Sequence, residues 1–149
     1  MSKVLRLGTD LHRLNRFAEI LQRNGPLTAF KTTRFSERIL HPTNELPSFQ
    51  EHIKSNDIEK CSKILSGAWC VKEAIYKTLD DDDQKNFIMS EWYKKNDLRG
   101  RPIIGNENYA MKHPDEEFQC SISHDGEYMS SVVLRLLKGW SVKWRSGVV

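Results

Sequence analysis

Residues 57 to 79, DIEKCSKILSGAWCVKEAIYKTL, hold the pattern that most limits what this chain can become. Ile64, Ala68, Val71, Ile75 and Leu79 recur every three or four residues, the spacing of one face of an α-helix. The stripe predicts a helix from about Asp57 to Leu79 that buries this face. Glu73 lies off the stripe. Lys77 stands four residues beyond it, so the two heads share a face with Trp69 and Tyr76. A lone pair of this kind is an ordinary surface ion pair, so its neighbours decide whether it does more.

The flanking segments predict the rest of the organisation. VLRLGTD reads as a short strand that breaks at Gly8, with Asp10 just past its end. Leu11, Leu14, Phe17, Ala18 and Leu21 predict a helix that stops at Asn24-Gly25-Pro26, with Arg13, Arg16 and Arg23 on its opposite face. A second short helix is expected after Phe30, followed by a turn at HPTNELP that leaves Glu45 in a loop. The run Asp80 to Asp83 opposes the dipole at the end of the long helix and is expected to be a solvated loop, since four consecutive acids cannot converge on one ion. FIMSEWY, RPIIG, QCSIS and SSVVLRLL read as strands. Helices first and antiparallel strands later predict the α+β class, with one domain over residues 1–149.

Composition removes several functional classes. A net charge of +3 is too small to establish a nucleic-acid partner, and none is expected. No apolar run approaches the roughly 18 residues of a membrane span. Cys61, Cys70 and Cys120 are odd in number and widely spaced, which points to reduced, packed thiols in an intracellular compartment. No nucleophilic triad, P-loop or dinucleotide fingerprint is present, so phosphate would have to be held by side chains. Asp10 and Glu73, if the fold joins them, form the carboxylate pair that Mg²⁺ takes together with waters and substrate phosphates. Lys77 then offers a compact charge to phosphate oxygens. His124 follows a strand and precedes the turn pair Asp125-Gly126.

LRLGTDLHRLNRF, RFSERILHPTNEL, LSGAWCVKEAIYK, GRPII and SISHDGEYMSSVV stand in the order and spacing of a known family. The chain resembles, over nearly its whole length, the holo-acyl-carrier-protein synthase type of 4′-phosphopantetheinyl transferase, and most of all the fungal mitochondrial branch. GTD and KEAIYK are short, but they co-occur about 60 residues apart with the serine-histidine strand downstream. The resemblance implies the phosphopantetheinyl transferase fold. It also implies Mg-dependent transfer of the 4′-phosphopantetheine arm of coenzyme A to a serine of an apo acyl carrier protein, releasing adenosine 3′,5′-bisphosphate. By motif position it makes Asp10 and Glu73 metal ligands, Lys77 a coenzyme A phosphate contact, and Glu73 and Lys77 the catalytic pair. His124, Arg101 and Pro102 fall in segments near the nucleotide of coenzyme A. Arg16, with Arg13 and Arg23 beside it, falls on the helix that docks the acidic carrier protein. A homo-oligomer is expected, a trimer first, and a mitochondrial address with a cytoplasmic one as the alternative.

Three positions depart from the family pattern. Ala68-Trp69 replaces Arg-Phe, the run Asp80–Asp83 replaces a glycine-rich turn, and Pro47 replaces an aspartate. The acceptor of the serine proton is left open among a metal-bound water, Glu73 acting through it, and Glu45. A metal-dependent phosphohydrolase and a catalytically idle carrier-protein-binding module are the rival readings.

Overall fold

Asp57 starts the long helix: its side chain accepts a hydrogen bond from the Lys60 amide at 3.0 Å, and Glu59 adds negative charge to the first turn. In this computed structural model, which describes residues 1–139, that helix, α4, runs Ile58–Tyr76. The last ten residues of the expected 1–149 domain lie outside the described residues. Eleven of the 19 residues of α4 are buried, so it is covered on more than the one predicted face.

The covering comes from both directions along the chain. Helices α1 (Asn15–Arg23), α2 (Phe30–Ile39) and α3 (Leu46–Lys54) bring Phe17, Leu21, Ile39 and Phe49 against Cys61, Leu65 and Ala68 in the first half of α4. Its second half, through Val71, Ala74 and Ile75, packs on Trp92, Ile104, Tyr109 and Val133. Each fully buried Leu, Ile, Val or Phe contributes about 1.5–3 kcal/mol, which makes α4 the common wall of both clusters.

The strands follow a topology that segment order alone does not reveal. β1 (Lys3–Arg13) pairs antiparallel with β5 (Tyr128–Leu137), and β5 pairs antiparallel with β4 (Glu116–Asp125), giving the order β1-β5-β4. A separate hairpin joins β2 (Tyr93–Asn96) to β3 (Pro102–Gly105), and the short helix α6 spans Glu107–Lys112. The α+β class therefore holds, with the first strand and the last in one sheet.

Several boundaries differ from expectation. β1 does not end at Gly8, which pairs with Val133, and Asp10 lies inside the strand opposite Ser131. The first helix begins at Asn15, so Leu11 and Arg13 are strand residues. Within FIMSEWY, Met89–Glu91 form a 3₁₀ turn and the strand begins only at Tyr93. The acidic run is no loop: Asp80 precedes α5 (Asp81–Lys85), and three aspartates fill its first turn, where the helix dipole favours them. Asp80 also holds Arg135 of β5 at 3.0 Å, and that guanidinium keeps its carboxyl below the usual aspartate range.

Candidate active site

Gly8 brings the site together through contact rather than through a turn. A Cβ at this position would collide with the carbonyl oxygen of Ala74 and the methyl of Thr78, so only glycine lets β1 lie directly on α4. Strand alternation then points Gly8, Asp10 and His12 at the helix and leaves Leu7 and Leu11 outside. Glu73 is the neighbour of Ala74, so the same contact places Asp10 and Glu73 in one electrostatic field.

Their proximity is visible in the proton affinity of Glu73. Burial first, and the charge of Asp10 second, push its carboxyl above the ordinary glutamate range, while Lys77 and Arg16 oppose them. Lys77 donates to the Thr9 carbonyl at 2.7 Å and to Asp10 Oδ1 at 3.1 Å. Its ammonium therefore crosses to Asp10 instead of closing an ion pair along the helix with Glu73. The Arg16 guanidinium lies 5.3 Å from the Trp69 ring and 5.8 Å from that of Phe17, so it leans toward this pair from α1.

His12 belongs beside these residues and is not legible as such while β1 is read as ending at Gly8. It is buried, its Nε2 lies 3.2 Å from Ser66 Oγ, and its ring stacks on Phe17 at 4.9 Å. Burial and the Arg16 charge hold it below the ordinary histidine range, with Asp10 opposing, so it is neutral at physiological pH. It supports the floor of the site.

Glu45 is not an exposed loop acid. It is 6% exposed at the start of α3, where it pairs with Lys72 Nζ at 2.5 Å and accepts the amides of His41 and Lys94 at 2.8 Å each. Lys72 is fully buried and also donates to the Ile39 carbonyl at 2.5 Å. Burial draws its ammonium below the ordinary lysine range against the pull of Glu45. Three of the roughly four lone-pair sites of Glu45 are engaged in this way and its charge is balanced by Lys72, which makes it a poorer candidate acceptor than Glu73.

Asp10 and Glu73 are two acids rather than a closed cage: no group of three or more His, Cys, Asp or Glu side chains suited to a metal occurs among the described residues. Two carboxylates completed by waters and a diphosphate nevertheless suit Mg²⁺, and Asp10 and Glu73 are close enough for the charge of one to act on the other. The residues present fit the ion.

The family model of the 4′-phosphopantetheinyl transferase superfamily matches residues 6–143. This chain belongs to that superfamily. It is 28% identical over 144 residues to a mitochondrial holo-(acyl-carrier-protein) synthase of Eremothecium gossypii, covering 88% of this chain and 78% of the relative. It is also 28% identical over 128 residues to a holo-(acyl-carrier-protein) synthase of Bacillus pumilus, covering 86% and 92%. The fold matches the crystal structure of a holo-ACP synthase from Plasmodium yoelii with a TM-score of 0.71 at 23% identity, over 93% of this chain and 99% of that one. A Helicobacter pylori holo-(acyl-carrier-protein) synthase in complex with coenzyme A matches with a TM-score of 0.62 at 19% identity, over 87% and 99%.

Among phosphopantetheinyl transferase positions, one chain gathers Asp10, Glu73, Lys77 and Arg16 but not the others. His124 is exposed at the end of β4, two strands from Asp10, opposite Met129, which pairs with His12 on its other side. Arg101 and Pro102 sit on the β2–β3 hairpin, where Arg101 Nε donates to Asp97 at 2.9 Å. No hydrogen bond or ion pair joins them to the carboxylate pair among the described residues.

The arginines also divide. Arg16 and Arg23 are exposed on α1, whereas Arg13 ends β1 opposite Tyr128. Lys31, Arg34 and Arg38 of α2 were missed. With Ile20 and Phe30 they line a depression of about 410 Å³ between α1 and α2, and Phe30 is 75% exposed. Their spacing in KTTRFSER, three then four residues, is the signal that could have found them.

Proposed function

We propose that this chain transfers the 4′-phosphopantetheine arm of coenzyme A to a serine hydroxyl of an apo acyl carrier protein. The observation that carries the reading is the meeting of Asp10, Glu73 and Lys77 across the Gly8 contact, in a chain of this superfamily. The serine oxygen forms a bond to the phosphorus that bears pantetheine, the pyrophosphate P–O bond breaks, and adenosine 3′,5′-bisphosphate leaves. Asp10 and Glu73 would hold Mg²⁺, which when bound neutralises charge on the pyrophosphate. Lys77, already turned toward Asp10, offers its ammonium to the phosphoryl oxygens. Glu73, whose carboxyl is pushed upward and whose rival Glu45 is occupied, takes the serine proton.

The basic faces of α1 and α2 suit an acidic carrier protein, with Arg16 and Arg23 joined by Lys31, Arg34 and Arg38 and with Phe30 as an apolar anchor. Residues 1–149 are read as one domain working as a homo-oligomer, preferably a trimer, in which His124, Arg101 and Pro102 of one copy complete the site of the next. The likeness to the Eremothecium gossypii protein supports a mitochondrial address. Fractionation with a tagged chain tests it, and recovery in the cytosol alone would remove it.

Incubating the full chain with coenzyme A, Mg²⁺ and an apo acyl carrier protein should add one phosphopantetheine mass to the carrier, read by intact-protein mass spectrometry. Hydrolysis of coenzyme A with an unmodified carrier would favour the phosphohydrolase reading. Carrier binding without turnover would favour the idle module.

A further inference from the structure

Past the last turn of α4 the chain bends through Lys77, Thr78 and Leu79, whose amides reach back to the carbonyls of Glu73, Ile75 and Tyr76. Thr78 and Leu79 are buried, so their own carbonyls need donors from outside the helix. The last turn of α4 carries no basic side chain, and Lys77 reaches away to Thr9 and Asp10 of β1. The donors come from the sheet instead. Arg135 Nη1 of β5 donates to the Thr78 carbonyl at 2.8 Å, and Arg6 Nη1 of β1 donates to the Leu79 carbonyl at 3.4 Å. Arg6 and Arg135 are register partners on the β1–β5 ladder, so two neighbouring strands close on consecutive residues of one turn.

Like charges opposite each other on a ladder repel, and a buried guanidinium must be paired. Arg135 is buried and meets both demands through acids: Asp80 lies 3.0 Å from its Nη2, and Glu116 of β4 lies 3.5 Å from its Nε. Glu116 is itself held by the Tyr109 hydroxyl of α6. His113, stacked on Tyr109, ties in α5, since its Nε2 lies 3.0 Å from Asp83 and its Nδ1 3.9 Å from Glu116. Arg135 is thus braced on its acidic side by three elements, and its Nη1 bond passes that restraint to Thr78. Of the four consecutive aspartates, Asp80 alone reaches Arg135 among the described residues.

Thr78 directly follows Lys77. The Lys77 backbone is therefore fixed by α4 before it and by the Arg135 bond after it, while its side chain spans to β1. A lysine stem is flexible, so where its ammonium comes to rest depends on a fixed backbone. We propose that Arg135, braced by Asp80 and Glu116, is a positioning residue for the transfer reaction: through the Thr78 carbonyl it holds the turn after α4 and so keeps the Lys77 ammonium beside Asp10. The inference rests on the reading of Lys77 as the contact to the phosphoryl oxygens. It gives Asp80 a part in the reaction that Asp82, whose side chain is almost wholly exposed, does not share.

Two measurements on the full chain test this, and one needs no turnover. Labelling at low conversion with an amine-reactive ester, read by peptide mass spectrometry, reports how freely each lysine moves. In Arg135→Gln and in Asp80→Ala, release from Thr9 and Asp10 should let Lys77 react about fivefold faster than in wild type, while Lys54 and Lys63 keep their rates. Asp82→Ala should leave all three unchanged. In the transfer assay Arg135→Gln should lower kcat about tenfold and leave the KM for the apo carrier protein within about twofold. In a Lys77→Ala background the same substitution should change kcat by less than about twofold, because a residue that acts through Lys77 then has nothing left to place. Melting curves show whether Arg135→Gln folds; Asp80→Ala, which alters a largely exposed side chain, keeps the comparison if it does not. Unchanged labelling of Lys77 in the folded variants, or an equal loss of kcat with and without Lys77, overturns the positioning role. Faster labelling of Lys77 in a chain whose wild type transfers nothing would leave the clamp standing and remove the proposed reaction.

Discussion

Glu73 carries a charge that the fold resists. Its proton affinity is raised by burial and by Asp10, so ionising it costs folding stability. That cost is absent below the ordinary glutamate range and appears as pH rises through the folded value. Glu73→Gln should therefore melt at the same temperature as wild type or higher near pH 7, and the difference should vanish toward pH 4. Transfer should fall at least a hundredfold, since the substitution removes both the proton acceptor and half of the carboxylate pair. Turnover within tenfold of wild type would sink the assignment. Lys72 and Glu45 behave in the opposite way, because each is buried against the other. Removing one partner should cost about 3–5 kcal/mol by urea denaturation, whereas Lys72→Met/Glu45→Gln together should recover much of it. The double variant should keep kcat within about tenfold, because neither residue belongs to the group formed by Asp10, Glu73 and Lys77; a thousandfold loss would make Glu45 the proton acceptor.

The contact between β1 and α4 is where reading the sequence succeeded and failed together. The periodicity of Ile64, Val71 and Ile75 suffices to place α4, because burial along a helix face leaves a repeating trace. Gly8 leaves no such trace: a glycine that ends a strand and a glycine pressed against a helix look alike until the partner is known. That ambiguity cut β1 short, moved Asp10 to a turn and hid His12. The Lys72–Glu45 pair was equally hidden, since its members stand 27 positions apart and each reads alone as a surface charge. Asp10 and Glu73 could be named as a carboxylate pair only on the condition that the fold joins them, a condition the family resemblance implied, and the packing supplies the reason that they meet. Gly8→Ala isolates this contact. Its methyl must displace the Ala74 backbone, so it should cost about 1–3 kcal/mol as overpacking does. It should also weaken Mg²⁺-dependent stabilisation by more than Leu7→Ala does on the outer face of the strand. Equal effects in thermal melts with and without Mg²⁺ would mean that the close crossing does not set the carboxylate pair.

The outer face of the three-stranded sheet has no cover among the described residues. Val4, Leu7 and Leu11 on β1 are 55%, 55% and 69% exposed, and Tyr128 and Val132 on β5 are 50% and 38% exposed. Leu7 pairs with Leu134 and Thr9 with Val132, so these side chains form one continuous apolar surface on the side away from α4. His124 and the β2–β3 hairpin meanwhile remain apart from the carboxylate pair. Both facts suit the proposed oligomer, in which copies would pack through this face and each would contribute part of a shared site. Light scattering after size exclusion should give an oligomer, with three copies as the expected mass. Leu11→Glu or Val132→Glu should shift it to a monomer by burying charge in an apolar interface. The monomer should retain its helical circular dichroism and lose transfer. Mixing a chain carrying Glu73→Gln with one carrying His124→Ala should restore activity if the two residues act across copies. A monomeric variant with full activity, or a mixture no more active than either component alone, would place the complete site within one chain and leave the exposed sheet face without a role in catalysis.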